Sequence, residues 1–157
     1  ELEKIISYTG DRDVVTGEDI QQVCTTQTQN KIFDMVRAVT EKNQKRALDL
    51  YYDLLTLKEP PMRILFLLAK QFRQICLTKK MSQEGLSQTE IASKLGVPSF
   101  VVRNLASCAR SYTVEELENA VRDFVDAEEA VKTGTLGDVL SVELLIVKYS
   151  SARAVRA

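Results

Sequence analysis

The sequence predicts an all-α protein, a bundle of about five to six helices, and three observations carry that prediction. Helix formers such as Leu, Ala, Glu, Lys, Gln and Arg are abundant, whereas the 157 residues hold only 6 Gly, 3 Pro and no Trp. Apolar residues recur every three to four positions along most of the chain. Helix starts and stops punctuate that pattern, with Ser87/Glu90 and Thr113/Glu116 at the spacing of capping boxes.

Taken in order, residues 2–8 read as the end of a helix stopped by Gly10. Glu1 opens the chain in what reads as mid-helix, as expected of a piece of a longer protein. Thr16 and Asp19 can cap a short helix over Gly17 to Cys24. Residues 25–30, Thr25-Thr26-Gln27-Thr28-Gln29-Asn30, have no apolar anchor and read as a linker. Asn30 then suits an N-cap for a helix carrying Ile32, Phe33, Val36 and Val39. Asn43 can cap the next, with Ala47, Leu50, Tyr51, Leu54 and Leu55 on one face.

Pro60-Pro61 breaks the chain, and Pro61 fits the first turn of a new helix. That helix, Met62 to about Met81, carries Ile64, Leu65, Leu67, Leu68, Phe72, Ile75 and Cys76 around much of its circumference, which predicts a central position. A helix from Val114 reaches Val131 through Leu117, Val121, Phe124 and Val125. Lys132-Thr133-Gly134 stops it, a cation followed by a glycine. The last helix, about Gly137 to Tyr149, is the most apolar and is expected to be largely buried. The division is therefore 1–24, a linker 25–30, a helical domain 31–150 and a frayed tail 151–157.

Charge follows the same division. The whole chain has a net charge of −1, but residues 1–30 are acidic, 31–80 hold 11 basic against 5 acidic groups, and 81–157 are acidic again. Within the basic part, Arg63, Lys70, Arg73 and Lys80 fall on one side of the long helix. They form either a solvated face or a surface for an acidic partner or nucleic acid.

Several chemistries are excluded. Without any His, no Ser-His-Asp or Cys-His triad and no His-ligated metal can form. Neither GxxxxGK[ST] nor GxGxxG occurs. The pairs Glu115/Glu116 and Glu128/Glu129 are helix neighbours that do not face each other. No catalytic residue, metal or cofactor is therefore expected. Cys24, Cys76 and Cys108 form no CxxC, which fits reduced thiols in a cytoplasmic protein. No apolar run has the length of a membrane span.

The stretch LSQTEIASKLGVPSFVVRNLASCAR has the spacing of a helix-turn-helix. Ile91, Ala92 and Leu95 share one face, Gly96 makes the turn, and Val97, Val102 and Leu105 return to the core. A DNA-binding regulator using residues 87–110 would read bases with Ser99, Arg103 and Asn104. Phosphate binding needs several cations around the reading helix, however, and only Lys94, Arg103 and Arg110 are near. Two short helices crossing as a packing unit explain the same spacing.

Together with KIFDMVRAVTEKNQKRALDLYYDLL, EPPMRILFLLAKQFRQI, and AVKTG before the final apolar helix, this stretch resembles the C-terminal part of the delta subunit of the bacterial DNA polymerase III clamp loader. The resemblance implies that residues 1–24 are the tail of an AAA+ lid and residues 31–150 a collar domain. It implies a non-catalytic piece, with ATPase activity in other subunits of a holoenzyme that is a nucleotidyltransferase. Its implied partners are delta-prime and the ATPase subunits, packed side by side in a ring of five. The sliding clamp would be gripped only by an upstream part absent from this sequence, and DNA would be engaged indirectly. It also implies that the helix-turn-helix-like pair serves packing.

Overall fold

The computed structural model describes the backbone of residues 17–151 and the side chains of Glu18 and residues 26–151. The described residues are all helix and connecting turns, in seven helices. These are α1 (Gly17–Thr40), α2 (Gln44–Thr56), α3 (Pro61–Gln83), α4 (Gln88–Leu95), α5 (Ser99–Ala109), α6 (Val114–Lys132) and α7 (Asp138–Ser150).

Local signals place most of the boundaries. The Asn43 side chain accepts from the Arg46 N–H at 3.2 Å and starts α2. Pro61 occupies the first turn of α3, where its missing N–H costs nothing. Both capping boxes close, with Ser87 and Glu90 opening α4 and Thr113 and Glu116 opening α6. Gly96 leaves α4 in the left-handed region at φ 66, and Gly134 does the same after α6 at φ 73.

The expected linker at residues 25–30 is a correction. These residues continue α1 without interruption, so Asn30 is mid-helix and caps nothing. Thr28 is buried, and its hydroxyl donates to Glu59 at 2.6 Å, which satisfies the group that made the stretch look unable to pack. The exposed Gln29 and Asn30 lie in solvent, where their polarity costs nothing. Residues 1–16 and 152–157, including the helix end at 2–8, the Thr16 cap and the tail, lie outside the described residues.

Helix α3 is the hub. It packs against α6, α5, α1, α7 and α4, and Ile64, Leu65, Leu68, Phe72, Ile75 and Cys76 are buried along it. The Phe72 ring lies 5.2 Å from Phe124, 5.7 Å from Tyr149 and 6.2 Å from Tyr112, in tilted and edge-on arrangements that aromatic pairs prefer. This cluster joins α3, α6, α7 and the α5–α6 corner. A second, smaller cluster of Ile91, Ala92 and Val102, flanked by Met81, Leu86, Leu95 and Val97, seats α4 and α5 on the end of α3.

Two lysines lock the turns. Lys42, at φ 61 between α1 and α2, donates to the Tyr149 carbonyl at 2.8 Å and lies 4.0 Å over the Tyr112 ring. Lys79 donates to the Ala109 carbonyl at 2.8 Å and also to that of Tyr112. Among the described residues, no helix is long and apolar enough to cross a membrane.

Candidate partner-binding surface

The most apolar helix is not buried all round. On α7, Val142, Leu145, Ile146 and Tyr149 enter the core, while Val139, Leu140 and Leu144 stay 41%, 48% and 51% exposed. This corrects the expectation of a largely buried last helix. Buried residues fall on one side of the 3.6-residue repeat and leave Leu140, Leu144 and half-buried Val147 as a second apolar stripe.

The stripe is flanked on both sides. Toward α2, the Tyr51 hydroxyl donates to the Val139 carbonyl at 2.9 Å. The Glu143 carboxylate hydrogen-bonds the half-exposed Tyr52 and raises its pKa. Toward α6, Lys148 pairs with Asp123 at 2.6 Å, and the Tyr149 hydroxyl donates to the same carboxylate. Burial works against the Asp123 charge, but these two hydrogen bonds outweigh it and hold its pKa below the ordinary value. The result is an apolar strip edged by fixed polar groups, a form that marks interaction surfaces.

The basic stripe of α3 separates into different environments. Arg63 pairs with Glu59 at 3.5 Å, and Lys80 with Glu118 of α6 at 2.5 Å. Lys70 and Arg73 are exposed and form no ion pair among the described residues. Arg73 and Lys80 line a groove between α3 and α6 with Cys76, Leu77, Glu118, Val121 and Arg122. Burial pushes the Cys76 thiol up, away from the reactive thiolate.

In the helix-turn-helix-like pair, Ser99 and Arg103 are exposed, Asn104 is half-buried, and Val102 and Leu105 are in the core. The pair packs upon itself and on α3. Lys132-Thr133-Gly134 is exposed and ends α6. Thr133 donates to the Glu129 carbonyl at 2.9 Å and Lys132 pairs with Glu128 at 2.5 Å, so each polar group has a local partner. Among the described residues no cluster of acidic, Cys or His side chains could hold a metal ion.

Residues 29–149 match the family model for the DNA polymerase III delta subunit, C-terminal domain. The chain belongs to that family. The delta-family domain is 30% identical over 148 residues to DNA polymerase III subunit delta of Bacillus subtilis (strain 168), covering 94% of this chain and 43% of that protein. It superposes on the Bacillus subtilis DNA clamp loader delta protein (YqeN) with a TM-score of 0.76 at 29% identity, covering 95% of this chain and 44% of that one. The delta-family domain thus spans less than half the length of the relatives it matches. It shares its sequence family and its fold with the C-terminal domain of delta subunits.

Sequence reasoning found α7 but not its outer face. The residues were visible as Val139, Leu140 and Leu144. A helix apolar on all sides reads the same whether its own core or a partner covers the second face.

Proposed function

We propose that this domain is the non-catalytic collar piece of a clamp-loader delta subunit, holding the subunit in a cytoplasmic complex that opens the sliding clamp and loads it onto primed DNA. The observation that carries the reading is the exposed apolar stripe of α7, Val139, Leu140 and Leu144, beside Tyr52. Its partner is the helical C-terminal domain of a neighbouring subunit, delta-prime or an ATPase subunit. ATP hydrolysis belongs to the ATPase subunits. Residues 1–24 serve as the end of an AAA+ lid, and contact with the clamp belongs to a region upstream. DNA is reached through the assembled complex.

Burial on this scale is suited to association. Each fully covered Leu or Val side chain contributes roughly 1.5–3 kcal/mol, so a few of them anchor a hot spot when polar groups rim the patch. Native mass spectrometry of the chain mixed with the C-terminal domains of delta-prime and the ATPase subunit tests this directly. A hetero-complex lost in Leu140→Glu/Leu144→Glu, with the melting temperature of the isolated domain unchanged, supports the reading. Absence of any complex at micromolar concentration overturns it.

A further inference from the structure

A second unpartnered surface lies on the other side of α6. The groove between α3 and α6 has two chemically different ends. Where α3 starts and α6 ends, it is lined by Met62, Leu65, Phe66, Ala69, Val125 and Val131, with Glu128 and Lys132 at the edge. Phe66 is 65% exposed and Val125 58% exposed there. Two large apolar side chains left open in one groove are costly to a free domain. Glu128 and Lys132 neutralise each other at 2.5 Å, so this end is apolar without net charge.

Where α3 ends and α6 starts, the groove is bordered by Arg73, Lys80 and Arg122 against Glu118. Glu118 is taken by Lys80 at 2.5 Å. Arg122 is near enough to Glu118 and Asp123 to lower both pKa values, but those carboxylates are already held by Lys80 and Lys148. Arg73 has no ion pair among the described residues. This end therefore keeps an excess of positive charge over an apolar floor of Leu77 and Val121.

We propose that the α3–α6 groove docks an amphipathic helix of a protein partner, apolar at its N-terminal end and acidic toward its C-terminal end. Two packed helices leave a furrow of the shape that takes a third. Phe66 and Arg73 are two turns apart on α3, about 10 Å along the axis, so the acidic residues follow the apolar anchors by about seven positions. The C-terminal end of the docked helix carries the negative end of its dipole and faces Arg73 and Arg122. The docked helix thus runs parallel to α3. This surface is separate from the α7 stripe and does not depend on it.

Selection of a displayed library of helical peptides about four turns long against the whole chain tests the proposal, with affinities read by fluorescence anisotropy. Enriched peptides are expected to pair apolar anchors with Asp or Glu two turns further on. Phe66→Ser and Arg73→Glu/Arg122→Glu should each weaken their binding about tenfold or more, while Leu140→Glu leaves it unchanged. Phe66, Arg73 and Arg122 are exposed, so their variants should keep the parent melting temperature. No enrichment, or binding indifferent to the groove variants, overturns the proposal. Two other outcomes overturn it as well: duplex DNA bound through Arg73 and Arg122 with no peptide bound, or a homodimer in sedimentation that Phe66→Ser dissolves.

Discussion

The buried Tyr112 hydroxyl donates to the backbone carbonyl of Tyr149 at 2.7 Å and thereby ties the last turn of α7 to the α5–α6 corner. The same hydroxyl reaches the Val39 carbonyl of α1 at 3.4 Å, and Lys42 adds a second donor to Tyr149. Two helices, α1 and α7, meet the α5–α6 corner at one phenol, and burial pushes its pKa well up, so it stays a neutral donor. Tyr112→Phe should cost about 0.5–1.5 kcal/mol, because Lys42 still serves the Tyr149 carbonyl. Urea unfolding should show a lower midpoint with an unchanged slope.

The aromatic cluster around Phe72 sets the larger scale. Phe72 is 1% exposed and touches rings from three other parts of the fold. Phe72→Ala should remove about 3–5 kcal/mol through lost transfer energy and a cavity, and Phe72→Leu distinctly less. Calorimetry of the two variants measures the difference, and equal losses would contradict close packing at this site.

The glycine turns offer a paired test. Gly96, at φ 66, and Gly137, in extended backbone at φ −68, both have open space where a Cβ would stand. Gly96→Ala should therefore lose about 1–2 kcal/mol to backbone strain alone. Gly137→Ala meets no such strain; the poorer N-cap it gives α7 is offset by the smaller freedom of Ala in the unfolded chain, so its net effect should be within a few tenths of a kcal/mol. Thermal melts of the pair separate conformation from packing.

Removing the α6 capping box should be felt more than removing a surface charge. Thr113→Ala strips the acceptor that meets the Glu116 N–H at 3.1 Å, at a cost of about 1 kcal/mol. Thr113→Ser should restore most of it. Chemical denaturation of the two variants is the measurement.

Asp123 gives the fold a pH dependence of known sign. Its folded pKa lies below 3.8 because the hydrogen bonds from Lys148 and Tyr149 outweigh the effect of burial. The unfolded chain therefore takes up a proton first as pH falls. The contribution is complete above the unfolded value and is lost as pH drops through the folded one. The stability gap between the parent and Asp123→Asn should be widest near neutrality and close in acid, as read from urea midpoints across pH. A gap that grows in acid would reverse the sign.

How much was legible in advance varies by feature. The caps at Asn43, Ser87, Thr113 and the stop at Gly134 depend on residues within a few positions of one another, so they could be read directly. Residues 25–30 read as a linker because a polar run shows no packing partner in sequence, and Glu59, which supplies the hydrogen-bond partner of Thr28, is 31 residues away. The α3 cations looked alike in the sequence, yet Glu59 and Glu118 claim two of them.

The sequence by itself determined the all-α class, the central place of α3 and the absence of histidine chemistry, because composition, periodicity and capping are local properties. Only the tertiary structure decided which half of α7 is covered, which α3 cations border the groove, and that Phe66 and Val125 stand open beside each other. Those outcomes depend on what each helix packs against. A one-dimensional pattern records that a side chain is apolar, but only the neighbours in space determine whether its own core or solvent meets it.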